Sequence, residues 1–155
     1  MPNWCGNTLT LQHEDPAMIQ RAKQAYVDGR LLDEFYPVPK SLHITAGREG
    51  ADDDPKQIAL VEAEKRNIAE HGFANWYDFC VNRWGTKWDV GGDGYEAQDI
   101  PGGLMLTFDS AWSPPIDAFN TLVETQGFSI RAMYYEPGMA FAGIWEDGDD
   151  DFYDY

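Results

Sequence analysis

The sequence predicts an α+β fold. We expect a ferredoxin-like, split βαβ antiparallel sheet with an added C-terminal strand and an inserted helical, Trp-rich lobe. Three observations predict it. The order strand, helix, strand occurs twice, once before residue 40 and once after residue 102, which is the repeat of that fold. The stretch between the halves is too long and too aromatic to be an idle loop. The chain has 155 residues, 43% hydrophobic and 14% aromatic, enough for one domain with its own core. The expected division is a single domain over 1–145, with the insertion at about 40–102, and an acidic-aromatic tail over 146–155.

Each element follows from local pattern. Leu9 and Leu11 alternate with threonines over 7–13, as in a half-buried strand. Asp15-Pro16 supplies an N-cap and a proline at the first helical position. Met18, Ile19, Ala22 and Tyr26 then share one helical face, and Gly29 ends the helix. Leu31 to Val38 reads as a second strand closed by Pro37 and Pro39. Asp54-Pro55 starts a charged helix over 56–71 with a narrow stripe of Ile58, Val61 and Ile68. Residues 75–83 read as a short aromatic helix, because Trp76, Cys80 and Trp84 recur at i, i+4. Gly91-Gly92-Asp93-Gly94 reads as a flexible loop. Leu104, Leu106 and Phe108 alternate as a strand running to Trp112. Ser113-Pro114-Pro115 caps a helix bearing Ile116, Phe119, Leu122 and Val123, which Gly127 stops. Phe128 to Tyr134 and Met139 to Trp145 form a hairpin around Glu136-Pro137-Gly138.

Charge and composition exclude several classes. Formal net charge is −16, from 27 acids and 11 bases. Such a chain is not expected to bind DNA or RNA phosphates directly. It is suited to staying dissolved, or to docking on a basic partner. No apolar run reaches the ~20 residues of a membrane span. The first residues (Pro2-Asn3-Trp4) do not resemble a secretion signal, so the expected location is the cytoplasm. Cys5 and Cys80 read as buried, reduced thiols.

The most distinctive segment is Trp84-Gly85-Thr86-Lys87-Trp88-Asp89. Tryptophan serves both cores and recognition surfaces. One reading is a structural clamp that docks the insertion on the sheet, with Lys87 paired to Asp89 or Glu136. The other is a ligand pocket. There Trp84, Trp88 or Trp112 stacks a small nucleotide-like signal, and Thr86 and Lys87 meet its phosphate. Trp4 and Asn7 are expected close by.

Five ordered motifs carry a family resemblance across nearly the whole chain. They are Pro2-Asn3-Trp4-Cys5-Gly6-Asn7, Phe35-Tyr36-Pro37-Val38-Pro39, and Trp76 through Asp89. Ala111-Trp112-Ser113-Pro114-Pro115 and Tyr135-Glu136-Pro137-Gly138, followed by Phe141 and Gly143, complete the set. With these the chain resembles the phage- and plasmid-borne YubB-type proteins, a largely uncharacterised family with a ferredoxin-like domain. The resemblance implies that fold and a bacterial mobile-element origin. It implies no activity and no catalytic residue.

The remaining chemistry is sparse. His13, His43 and His71 could serve a cysteine nucleophile, but no catalytic motif holds them. Asp147, Asp149 and Asp151 copy the start of a calcium loop, yet Phe152 stands where glycine is needed. We expect no metal and no cofactor. The tail is different, with six acids and three aromatics in ten residues. Glu146, Asp147, Asp149, Asp150, Asp151, Phe152, Tyr153, Asp154 and Tyr155 are the candidate partner-binding residues. Charge would steer the encounter and the rings would supply contact energy. The expected function is a non-enzymatic phage or plasmid protein that counters a host defence by occupying a basic, nucleic-acid-binding site of a host protein. The alternative is a small-nucleotide sponge built on the Trp-lined pocket, and an enzymatic role comes third.

Overall fold

The alternation of Leu9 and Leu11 with Thr8 and Thr10 places β1 (Trp4–Gln12) at the centre of a sheet in the computed structural model, which describes residues 2–155. The other strands are β2 (Ala97–Ile100), β3 (Gly103–Ala111), β4 (Ser129–Glu136), β5 (Phe141–Glu146) and β6 (Asp149–Asp154). Their order is β2-β3-β1-β4-β5-β6, and every neighbouring pair is antiparallel. The helices are α1 (Pro16–Val27), α2 (Leu31–Phe35), α3 (Pro55–His71), α4 (Trp76–Phe79) and α5 (Ile116–Gln126). The fold is therefore α+β.

The sheet buries one face. Leu9, Leu11, Leu104, Leu106, Phe108, Ile130, Ala132 and Trp145 form a single core with Ala22 and Tyr26 of α1 and Phe119 and Leu122 of α5. Phe79 and Trp84 from the insertion join the same core. The insertion thus packs beside the helices. The opposite face, where the alternate residues Thr8, Thr10, Thr107, Met133 and Tyr135 point, is left uncovered.

Local signals explain most of the frame. Asp15 accepts from the Ala17 N–H and Asp54 from the Lys56 N–H, each beside a proline in the first turn. Gly127 ends α5 in the left-handed region. Such a side-chain cap contributes about 1 kcal/mol.

Four expectations are corrected. Residues 31–38 are not a strand, because α2 occupies Leu31–Phe35. Asp89, far along the chain, accepts from the Leu32 and Asp33 N–H groups and holds that helical turn. The second strand of the frame is instead β2, which pairs with β3 through Ala97↔Leu106 and Ile100↔Gly103. The stripe on α3 is rotated: Ile58, Val61 and Ile68 are exposed, and Gln57, Leu60 and Asn67 are buried. Polar anchoring sets that rotation. Gln57 accepts from the Glu49 N–H, and the Asn67 amide donates to the Ser41 and Ala74 carbonyls. Finally, the glycine loop is packed against α1. A Cβ on Gly91 would lie 2.2 Å from the Tyr26 carbonyl oxygen, and the Gly92 N–H donates to that same oxygen.

The acidic-aromatic end is itself ordered as the sixth strand. β6 pairs with β5 in the register Phe141↔Asp154 to Glu146↔Asp149. No helix among the described residues is long and apolar enough to cross a membrane.

Candidate functional site

The Trp84–Asp89 segment divides between support and surface. α4 runs on into a π-helical turn (Cys80–Trp84), which carries Trp84 into the core. Trp84 is 3% exposed, and its indole N–H donates to the Tyr36 carbonyl at 2.9 Å. Thr86 is buried and donates its hydroxyl to the Ala111 carbonyl. The Ser113 hydroxyl donates to the Gly85 carbonyl. The first bond ties the segment to the end of α2 and the other two tie it to the end of β3, so this half of the segment is a clamp.

The other half faces outward. Trp88 and Trp112 are each 39% exposed, and Trp4 packs against Trp88 with ring centroids 6.0 Å apart. Lys87 does not pair with Asp89 or Glu136, in contrast to the clamp expectation. Its ammonium lies over Trp88 at 4.5 Å, Trp112 at 5.5 Å and Tyr77 at 5.6 Å from the ring centroids. The two carboxylates are occupied by backbone donors: Asp89 by Leu32, Asp33 and Val90, and Glu136 by Gly138 and Met139. Trp112 sits at φ 69°, a costly conformation for this residue, with its N–H on the Asn3 carbonyl. The N-terminal segment, Trp112-Ser113 and the Trp-rich segment are thus brought together.

Of the candidate ligand residues, Trp84, Lys87 and Trp88 line one hollow of ≈ 360 Å³. Thr86 and Asn7 are buried and do not line it. The Asn7 amide donates to the Cys5 carbonyl and to the Ser110 hydroxyl, which fixes it as a core residue. Arg30, His43 and Trp76 also line the hollow. Sequence reasoning missed these three as ligand residues. They are far apart in the chain, and only the folded insertion brings them together.

The candidate partner-binding residues fall on two faces of β6. Asp150 and Phe152 lie on the helix side: Asp150 accepts from the Tyr134 hydroxyl at 2.6 Å, and the Phe152 ring is 5.7 Å from that of Phe141. Asp149, Asp151 and Tyr153 lie opposite Glu146, Ile144 and Ala142 and share the uncovered face. Asp147 closes the β5–β6 turn by accepting from the Ile130 N–H and the Ser129 hydroxyl. Asp154 ends β6, and the Tyr155 N–H donates to the Ala140 carbonyl.

The uncovered face carries further contact groups. Met133 is 46% exposed, Tyr135 58% and Tyr153 57%. The Tyr135 ring lies over Gly6, where a Cβ would come within 2.6 Å of its Cε1. Absence of a side chain at Gly6 lets the ring lie flat. Asp109 stands beside Gly6 in register, and Arg131 pairs loosely with Glu146 at 3.9 Å.

The nucleophile candidates sit in the wrong surroundings. Burial pushes the Cys5 and Cys80 thiols up to about 12, so both stay protonated at neutral pH. They are unpaired, buried residues. His13 is engaged at both ring nitrogens, with Asp15 N–H on Nδ1 and the Gln126 carbonyl at Nε2. No group of three or more metal-ligating side chains occurs among the described residues.

No family model matches the chain, and no curated protein matches it. The chain is similar to a crystal structure of the protein api92 from Yersinia pseudotuberculosis, which carries the family model DUF1281. The TM-score is 0.52 at 14% identity, over 100% of this chain and 98% of that one. At this identity the likeness bears on the fold alone.

Proposed function

We propose that the chain is a non-enzymatic accessory protein that docks on the basic, nucleic-acid-binding surface of a host protein and blocks it. One observation carries this reading. β6 is a fully exposed edge strand with four aspartates, continuous with a sheet face that no helix covers. An edge strand offers free backbone N–H and C=O groups, and edge charge discourages pairing with another copy of the same edge. A basic surface meets the opposite condition. Met133, Tyr135 and Tyr153 supply the exposed apolar contact that charge alone lacks.

The strand order supports a ferredoxin-like frame. The order β2-β3-β1-β4, with α1 and α5 as the crossovers, agrees with a split βαβ arrangement to which β5 and β6 are added. The resemblance to YubB-type proteins supports a phage or plasmid setting and the cytoplasm of a bacterial host as the location, and counter-defence is the role we infer from that setting. The net charge of −16 agrees with a partner that normally holds nucleic acid.

The test joins binding to phenotype. The tagged chain is used to capture proteins from a bacterial lysate, and hosts producing it are challenged with phage. The reading predicts a captured nucleic-acid-binding defence protein and improved phage plating on hosts that carry it. Unchanged plating, together with capture of no such protein, would overturn it.

A further inference from the structure

The hollow beside the Trp-rich segment shares no residue with the proposed docking face. It is bounded by the π-helical turn after α4, by the start of α2 and by the segment around His43. Its walls are Trp76, Trp84 and Trp88, its cationic groups are Arg30 and Lys87, and the His43 imidazole lines it too. Two carboxylates also reach it, Asp33 and Asp89, but both are bound by backbone donors: Asp33 by the Val38 N–H, and Asp89 by three N–H groups. Arg30 is shared with Glu34 at 2.5 Å. Lys87 is the cation left over. It makes no ion pair among the described residues and rests on three aromatic rings.

We propose that this hollow binds a small planar anion, a heteroaromatic ring carrying a single phosphate or carboxylate, with the ring against Trp88 and the acidic group on Lys87. The aromatic cage keeps the ammonium partly desolvated and fixed in place, so an arriving anion gains a charge-assisted bond with little ordering cost. Trp88, 39% exposed, is the accessible wall beside Lys87, whereas Trp84 is the closed floor at 3%. Size decides between ligand classes. A hollow of ≈ 360 Å³ is near the lower end of the ~300–1,000 Å³ that ligand sites occupy. It accommodates one ring system with one acidic group. A dinucleotide, with two rings and two phosphates, would extend beyond it.

The experiment is a tryptophan-fluorescence titration of the full chain, checked by calorimetry. The probes are adenosine 5′-monophosphate, indole-3-carboxylate, adenosine, inorganic phosphate and a cyclic dinucleotide. Saturable binding is expected for the monophosphate or the carboxylate, and whichever binds tighter identifies the acidic group. Adenosine and inorganic phosphate should each bind at least about tenfold more weakly than that probe. Lys87→Gln should weaken binding by about tenfold. Trp88→Leu, at an exposed position, should weaken it while circular dichroism stays unchanged. The proposal is overturned if neither acid binds, if both variants bind as the parent does, or if the dinucleotide binds more tightly than the monophosphate. None of these outcomes alters the docking reading, which rests on β6 and the uncovered face.

Discussion

Trp84 and Trp88 stand four residues apart in one motif, and they should respond to truncation in opposite ways. Trp84→Ala removes a side chain that is 3% exposed, packed edge-on against Phe79 at 6.3 Å. Loss of a buried Trp costs ~3–5 kcal/mol. The Tyr36 carbonyl also loses its donor, which adds ~1 kcal/mol. That total approaches the whole stability of many domains, ~5–15 kcal/mol. Trp88→Ala removes a side chain that is 39% exposed and makes no indole hydrogen bond among the described residues, so its expected cost is ~1–2 kcal/mol. Trp84→Phe isolates the hydrogen bond from the ring, at an expected ~1–2 kcal/mol. Urea denaturation followed by circular dichroism measures all three. Equal m-values would show that the comparison is of stability alone. In a thermal melt, Trp84→Ala should fall by about 10 °C or more. If Trp84→Ala proved no more destabilising than Trp88→Ala, the assignment of Trp84 as clamp and Trp88 as surface would be refuted.

Other perturbations read other parts of the structure. Burial raises the Asp89 carboxyl to about 6 despite three backbone N–H donors. The folded state therefore holds this proton more tightly than the unfolded chain. The resulting stabilisation is full below the unfolded value near 4 and is lost as pH rises through 6, by roughly 3 kcal/mol. Asp89→Asn should remove that component, seen as a smaller difference in urea midpoint between pH 4 and pH 7 than in the parent. Tyr134→Phe deletes the hydroxyl that donates to Asp150, and should cost ~1 kcal/mol while raising amide exchange in β6 more than in β1. Gly6→Ala forces the Tyr135 ring off the sheet, because the new Cβ would lie 2.6 Å from Cε1. The ring end is free to swing, so stability should change by less than about 1 kcal/mol while partner capture weakens.

Much of this molecule was legible in its sequence wherever the cause of a structure is local. The caps at Asp15 and Asp54, the alternation in β1, β3 and β4, the hairpin turn before β5, and the apolar faces of α1 and α5 all declare themselves within a few residues. What was not legible has distant causes. Leu31-Leu32-Asp33-Glu34-Phe35 suits a strand or a helix equally, and Asp89 decides for the helix from 57 positions away. Ala97-Gln98-Asp99-Ile100 has little strand character, and only pairing with β3 makes it β2. Asp149 to Asp154 likewise becomes a strand through β5, not through its own preference. In the candidate site, the approach of Trp4, Trp88 and Trp112 was foreseeable from their shared character. The cage around Lys87 was not, because opposite charges at Asp89 and Glu136 looked like nearer partners until backbone donors were seen to hold them.

The docking surface on β6 and the uncovered sheet face is the central claim, and a displacement titration tests it most directly. A captured host protein is loaded with fluorescent DNA, and the chain is titrated in, as parent and as the triple variant Asp149→Asn, Asp151→Asn, Tyr153→Ala. All three side chains point away from the core, so the variant should melt as the parent does. The account predicts that the parent displaces the DNA and that the variant needs at least about ten times the concentration. Equal displacement by parent and variant, or none by the parent at stoichiometric excess, would contradict it.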